Sequence, residues 1–154
     1  MKVRRIDAAQ FNTLEPRQIS DLLRYGQPGV VDLDKAWDGI AWLISEERRE
    51  RPYMMPDPDA AETQAIYGTD SLLGGTLFRT SPDKVKQIAA VLEPMSRETI
   101  SLNFHPDLMS KNEVYPGSWD EEDSLEYLLE AFDRLRRVYL DAAKAGDAII
   151  HKLD

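Results

Sequence analysis

Apolar residues recur at helical spacing in several segments, and the clearest run lies near the end of the chain. Between residues 125 and 142 they fall three or four positions apart, which places them on one face of a helix. Residues 118–121 match a capping box ahead of this run, and Gly146 is a typical helix stop. The pattern predicts one long amphipathic helix whose apolar face lies in the core.

A second apolar stripe follows the aspartates at positions 32 and 34, either of which suits a helix N-cap. Trp37, Ile40 and Ile44 recur on one face, with Trp42 beside them, so this helix is predicted to be central to the core. Capping residues, prolines and glycines predict four further helices, at residues 16–26, 59–67, 81–93 and 96–104.

Two short segments are typical of strands, at residues 76–80 and 148–153, and residues 3–11 are a third candidate although their pattern is poor. They lie far apart along the chain and do not alternate regularly with the helices. The sequence therefore predicts an α+β fold, with a small mixed sheet of about three short strands surrounded by about six helices. No repeat or long linker divides the chain, so residues 1–154 are expected to form a single domain.

Composition and charge exclude several classes of function. The 154 residues contain no cysteine, which removes disulfides and thiolate chemistry. No apolar run approaches the roughly 20 residues of a membrane span, and the basic N-terminus lacks the apolar stretch of a signal peptide, so a cytoplasmic protein is expected. A net charge of −9 disfavours nucleic acid and favours a basic partner, although solubility alone also explains an acidic chain.

Two short stretches carry a family resemblance. Residues 32–37 read Asp-Leu-Asp-Lys-Ala-Trp, and residues 112–117 read Asn-Glu-Val-Tyr-Pro-Gly, a turn ahead of the longest helix. In this order and with this spacing they resemble the YfbM-like family, small bacterial proteins with a domain of unknown function. The resemblance covers essentially the whole chain. It implies a fold but no reaction, cofactor or ligand.

Motifs that carry known chemistry are missing from the sequence. His105 and His151 do not have the spacing of a histidine metal site, and the aspartates do not match a calcium loop. The chain has no G-x-S-x-G nucleophile motif, phosphate loop or dinucleotide fingerprint. We therefore predict no catalytic residue, no metal and no cofactor.

Two segments combine large apolar side chains with acids and suit a protein-binding surface. The predicted partner-binding residues are Tyr53, Met54, Met55, Asp57 and Asp59 in a proline-rich loop, and Trp119, Asp120, Glu121 and Glu122 ahead of the long helix. Such acids complement a basic cleft on a partner. A structural role also explains both segments, because apolar residues cover a core and acids stabilise a helix N-terminus.

Three functions from different classes remain open at the level of sequence. The preferred one is a non-enzymatic protein-binding module, in its most specific form an immunity-type protein that covers the active cleft of a toxin or enzyme. The second is an enzyme with a site built from His105, Glu113 and Tyr115, which requires a pocket that holds all three. The third is a regulatory domain that binds a small molecule in an apolar pocket near Trp37 and Trp42.

Overall fold

A five-stranded sheet and eight α-helices make up the fold in the computed structural model, which describes residues 1–54 and 56–153. The strands are β1 (Lys2–Ile6), β2 (Val30–Asp32), β3 (Asp70–Leu73), β4 (Leu77–Thr80) and β5 (Ala148–Lys152). The helices are α1 (Pro16–Leu22), α2 (Trp37–Ile44), α3 (Glu46–Glu50), α4 (Ala61–Tyr67), α5 (Pro82–Leu92), α6 (Arg97–Ser101), α7 (Pro106–Lys111) and α8 (Ser124–Ala145). A 3-10 helix spans Ala8–Gln10.

The α+β class is confirmed, and the sheet differs from the prediction in two respects. Its order is β2-β1-β5-β4-β3, and every neighbouring pair is antiparallel rather than mixed. The two strands that the sequence did not indicate, β2 and β3, are the edges of the sheet. Both are short, and β3 is largely exposed, so neither carries the alternating apolar pattern of a half-buried strand.

Alternate side chains of β5 enter two cores on opposite faces of the sheet. Ile149 belongs to the larger core, which is filled mainly by α2, α5 and α8. Ala148 and Ile150 belong to a smaller core, where they meet Ile19 of α1. The central strand is therefore buried on both faces, which is the burial expected of a continuous apolar run.

The predicted start of α8 is wrong. The helix begins at Ser124, and no side chain caps it. The residues of the predicted capping box instead lead the chain into the core, where Trp119 is buried and donates from its ring nitrogen to the Val114 carbonyl at 2.8 Å. Burial of this indole explains why the helix starts later than its local signal indicates.

The predicted start of α2 is also wrong. The helix begins at Trp37 behind Ala36, and Asp34 does not cap it. Asp34 has a left-handed backbone conformation, with φ of 49°, and its amide donates to Asp32 Oδ1 at 2.9 Å. The Asp32 side chain therefore closes a tight turn ahead of the helix. No helix among the described residues has the length and apolar character needed to cross a membrane.

Candidate functional site

The two stretches that carry the family resemblance meet in space at Trp37. The Tyr115 ring stacks on the Trp37 indole, with centroids 5.8 Å apart and planes 26° from parallel. Tyr67, from the end of α4, meets the same indole edge-on at 6.1 Å. Three distant segments thus form one aromatic cluster of Trp37, Tyr67 and Tyr115, and Tyr115 keeps 40% of its surface exposed.

A buried ion pair lies next to this cluster. Arg48 donates from Nε and Nη2 to the two carboxylate oxygens of Asp38, at 3.2 and 3.1 Å. The Asp38 carboxylate also accepts from the Tyr115 amide at 2.9 Å, and Arg48 donates to the Pro52 carbonyl at 2.8 Å. This bidentate pair is nearly buried, and it connects the proline-rich loop with the turn that carries Tyr115.

Tyr67 remains protonated in this setting. Burial and, to a smaller extent, the nearby Asp38 carboxylate together raise its pKa to about 12, while Arg48 opposes the shift. A phenol with so high a pKa is a hydrogen-bond donor or a ring surface rather than a general base at neutral pH. Its ring also borders a largely apolar cavity of about 320 Å³ that includes Phe78, Pro56 and Pro58.

Asp34 and Lys35 lie on the other side of the same turn. Tyr127 of α8 donates to Asp34 at 3.3 Å, and its hydroxyl accepts from the Lys35 amide at 3.2 Å. Burial raises the pKa of Tyr127, and the Asp34 charge adds to that shift. A cavity of about 360 Å³ separates this group from Pro116 and Glu121. The turn is therefore bordered by open space on its α8 side.

The proline-rich loop exposes its apolar residues as expected. Tyr53 is 74% exposed and Met54 is 62% exposed, and the Tyr53 hydroxyl donates to the Lys111 carbonyl of α7 at 3.3 Å. Asp57 and Asp59 are also exposed. Met55, the fifth predicted residue of this loop, lies outside the described residues.

The predicted partner-binding residues ahead of α8 differ in exposure. Trp119 is 1% exposed, so its interpretation as a partner-binding residue is wrong: the indole is a core residue. Asp120, Glu121 and Glu122 are exposed, and the Glu121 side chain borders the cavity beside Pro116. The acids therefore stay candidates for partner binding, while the aromatic residue beside them does not.

The pocket that the enzyme hypothesis requires is not formed around His105. This residue is exposed at the start of α7, and it lines none of the four best-formed cavities among the described residues. Glu113 is exposed, and its backbone is left-handed, with φ of 53°. Within residues 1–54 and 56–153, no three His, Asp or Glu side chains approach closely enough to hold a metal ion.

Both tryptophans of α2 are engaged in contacts within the protein. Trp42 is 2% exposed, and its ring nitrogen donates to the Asn103 carbonyl at 3.1 Å. Trp37 is covered by Tyr67 and Tyr115, and neither indole lines a cavity in the described part of the chain. The apolar cavity nearest to Trp37 is the one that borders Tyr67, which packs on the indole.

The sequence did not indicate Asp38, Arg48 or Tyr67 as parts of one site. One signal was present: Asp38 is a charged residue within an otherwise apolar helix, and such a charge requires a partner. The sequence does not determine which basic residue pairs with Asp38, because several basic residues follow α2. Leu108 of α7 was also missed, and it is exposed near the Tyr53 contact.

Comparison with known proteins agrees with this geometry. A family model described as a domain of unknown function, DUF1877, matches residues 4–151, which includes both motifs of the aromatic cluster. The chain belongs to the DUF1877 family. No curated protein matches the chain significantly.

One solved structure of the same overall shape is that of YfbM from Escherichia coli, described as a protein of unknown function. The two chains share 20% identity with a TM-score of 0.72, and the match covers 99% of this chain and 98% of that one. At this identity the likeness shows a shared fold. The comparison therefore gives this DUF1877 chain a fold, and it assigns no activity, ligand or partner.

Proposed function

We propose that this protein is a non-enzymatic protein-binding module whose partner presents a basic surface. The observation that carries the proposal is the exposure of Tyr53 and Met54 in the proline-rich loop, and of Tyr115 in the turn ahead of α8, in a strongly acidic chain. Large exposed aromatic and methionine side chains are enriched at protein interfaces. We name the binding surface the motif face and define it as Tyr53, Met54, Leu108, Tyr115, Asp57, Asp59, Asp120, Glu121 and Glu122.

Internal contacts connect the segments that carry the apolar residues of the motif face. Tyr53 reaches the end of α7, which also carries Leu108. The Arg48–Asp38 pair joins the loop backbone to the Tyr115 amide. These contacts support an arrangement in which apolar anchors are preordered by a rigid ion pair, which lowers the entropic cost of binding.

Charge favours a basic partner. Five of the nine residues of the motif face are acids, and Asp107 and Glu113 are further exposed acids nearby. An acidic rim around apolar anchors accelerates encounter with a basic surface and disfavours an acidic one. In its most specific form, the proposal is that this cytoplasmic protein neutralises a toxin or enzyme by covering a basic, phosphate-handling cleft.

The test is capture of a partner from the lysate of the source bacterium, followed by calorimetric titration of the purified pair. We expect one partner of basic surface that survives a wash at roughly 0.5 M salt, where exposed charge attractions are largely screened. Loss of every bound protein in that wash would contradict the proposal.

Matched variants locate the surface. Met54→Asp and Glu121→Lys are expected to weaken binding at least about tenfold, because they remove an anchor and reverse a rim charge. Tyr25→Ala and Glu93→Lys are the controls, since both residues are exposed outside the motif face. Equal affinity of all four variants would show that the partner binds elsewhere.

A further inference from the structure

A second cleft, away from the motif face, is basic although the whole chain is acidic. It encloses about 420 Å³ between β1, the turn before β2, and the C-terminal half of α8. Its lining residues are Arg4, Arg5, Pro28, Gly29, Val31, Arg134, Arg137, Val138 and Asp141. Four arginines thus face one carboxylate in a chain whose net charge is −9.

Most of this positive charge is not neutralised by the protein. Arg4 donates to the Leu22 carbonyl at 3.0 Å and has no carboxylate partner in the described part of the chain. Arg137 has neither a hydrogen bond nor an ion pair with any described residue. Arg134 approaches Glu130 only to 3.9 Å, and both of those side chains are about half exposed, so that pair contributes little.

Arg5 is the exception among the four. Its Nε lies 3.0 Å from an Asp147 carboxylate oxygen, and its Nη1 donates to the Asp141 carbonyl. These contacts hold the guanidinium at one end of the cleft. The remaining three arginines repel one another across a shared space, and an anion that enters this space would relieve the repulsion.

The chemistry of the lining indicates which anion fits. A guanidinium presents a planar fork of donors that matches phosphate oxygens, and several forks around one space suit a doubly charged phosphate better than a carboxylate. Val31, Val138 and Pro28 supply an apolar wall beside the arginines. A cleft of this size suits a small molecule, while the acidic chain around it disfavours a nucleic-acid strand.

We propose that this cleft binds a small organic phosphate, with the phosphate held by Arg4, Arg134 and Arg137 and the organic part against Val31 and Val138. None of these residues belongs to the motif face, so the inference does not depend on the proposed protein partner. The site needs no metal and no covalent step, because binding uses charge-assisted hydrogen bonds and apolar contact alone.

Calorimetric titration of the full chain tests the proposal with three probes: phenyl phosphate, inorganic phosphate and phenol. We expect saturable binding of phenyl phosphate, weaker binding of inorganic phosphate, and no binding of phenol. Methyl resonances of Val31 and Val138 should shift with phenyl phosphate. Absence of saturable binding of phenyl phosphate would overturn the proposal. Equal affinity for the two phosphates would overturn the role of the apolar wall.

Charge-removing variants with a matched control complete the test. Arg137 is exposed and makes no hydrogen bond or ion pair with any described residue. The variant Arg137→Gln should therefore fold normally and bind phenyl phosphate at least about tenfold more weakly. Arg17→Gln is the control, because Arg17 is exposed on α1 and lines none of the four cavities among the described residues. Unchanged affinity in Arg137→Gln, or an equal loss in both variants, would overturn the assignment.

Discussion

Buried side chains pack directly against the backbone of α2 at Gly39. A Cβ atom at this position would lie 2.6 Å from Leu128 Cδ2 and 2.7 Å from Trp119 Cη2. Both atoms belong to buried side chains that cannot retreat into solvent. The absent side chain of Gly39 therefore makes the room in which Trp119 sits.

Gly39→Ala is expected to lower the free energy of unfolding by about 1–3 kcal/mol, because overpacking of a filled core forces neighbours to shift. The loss should appear in urea denaturation even though alanine favours a helix interior by roughly 1 kcal/mol. Combining the change with Leu128→Ala should cost less than the sum of the two single changes. A more stable Gly39→Ala protein would contradict this account of the contact.

Asp38 and Arg48 show the difference between a buried and an exposed ion pair. Asp38→Asn leaves the guanidinium nearly buried without a counter-charge, and we expect a loss of about 3–5 kcal/mol in chemical denaturation. Asp133→Asn removes one of the two exposed carboxylate partners of Arg97 and should lower the stability far less than Asp38→Asn does. Similar losses in the two variants would show that the Asp38 pair is screened by water.

Among the helices, α8 ends where the sequence pattern predicts but begins later than the pattern predicts. Gly146 follows the helix with φ of 75°, and the Asp147 amide donates back to the Ala142 carbonyl at 2.9 Å. This left-handed stop depends on neighbours along the chain, so the sequence showed it correctly. The start depends on Trp119, whose burial is a contact with distant residues.

Gly146→Ala should destabilise the protein by about 1 kcal/mol, because an L side chain resists the left-handed conformation. Gly146→Asn should cost less, since asparagine tolerates this region better. Thermal unfolding followed by circular dichroism compares the two, and no neighbour lies close enough to clash with a new Cβ atom. If the alanine variant is the more stable of the two, the cap is not the reason for glycine here.

Across the whole molecule, His151 connects the central strand with α8. The residue is fully buried, and its Nε2 lies 3.2 Å from the Tyr139 hydroxyl. Nδ1 of His151 has no hydrogen-bond partner among residues 1–54 and 56–153. Burial, against a smaller opposing effect of the Ile66 backbone, lowers the pKa of His151 to about 4 from its usual 6.5. The imidazole is therefore neutral in the folded protein at neutral pH.

This depressed pKa makes stability depend on pH with a definite sign. Below pH 6.5 the unfolded chain binds a proton at His151, whereas the folded chain does so only near pH 4. The contribution of His151 to the free energy of unfolding is therefore fully present above pH 6.5. It falls as the pH decreases towards 4, by up to about 1.4 kcal/mol per pH unit. Urea denaturation between pH 7 and pH 5 should show this slope.

The control for this prediction is His151→Gln, which removes the titrating group. Its absolute stability is expected to be lower, but the part of the slope that His151 contributes should disappear. The comparison isolates one residue because every other ionisable group is common to both proteins. Identical slopes in the two proteins would mean that His151 does not titrate differently on folding.

The α+β class, the helix α5, the body and end of α8, and the strands β4 and β5 followed from the sequence alone. The family resemblance indicated β1, which ends at Ile6 rather than at residue 11, because a 3-10 helix follows it. The signals of the other elements are local: the spacing of apolar residues, a proline or glycine at a boundary, and β-branched runs in the strands. The sequence also indicated the exposed loop of Tyr53 and Met54. A local pattern sufficed in each case because the conformation of these segments depends mostly on near neighbours.

Tertiary structure alone decided the edge strands and the site. β2 and β3 form by pairing with β1 and β4, and each has too few residues to show an alternating pattern of its own. The Trp37–Tyr115 stack, the Asp38–Arg48 pair and the burial of Trp119 join segments far apart in sequence. Such contacts depend on how helices pack, and periodicity along one segment carries no information about which distant side chain will meet it.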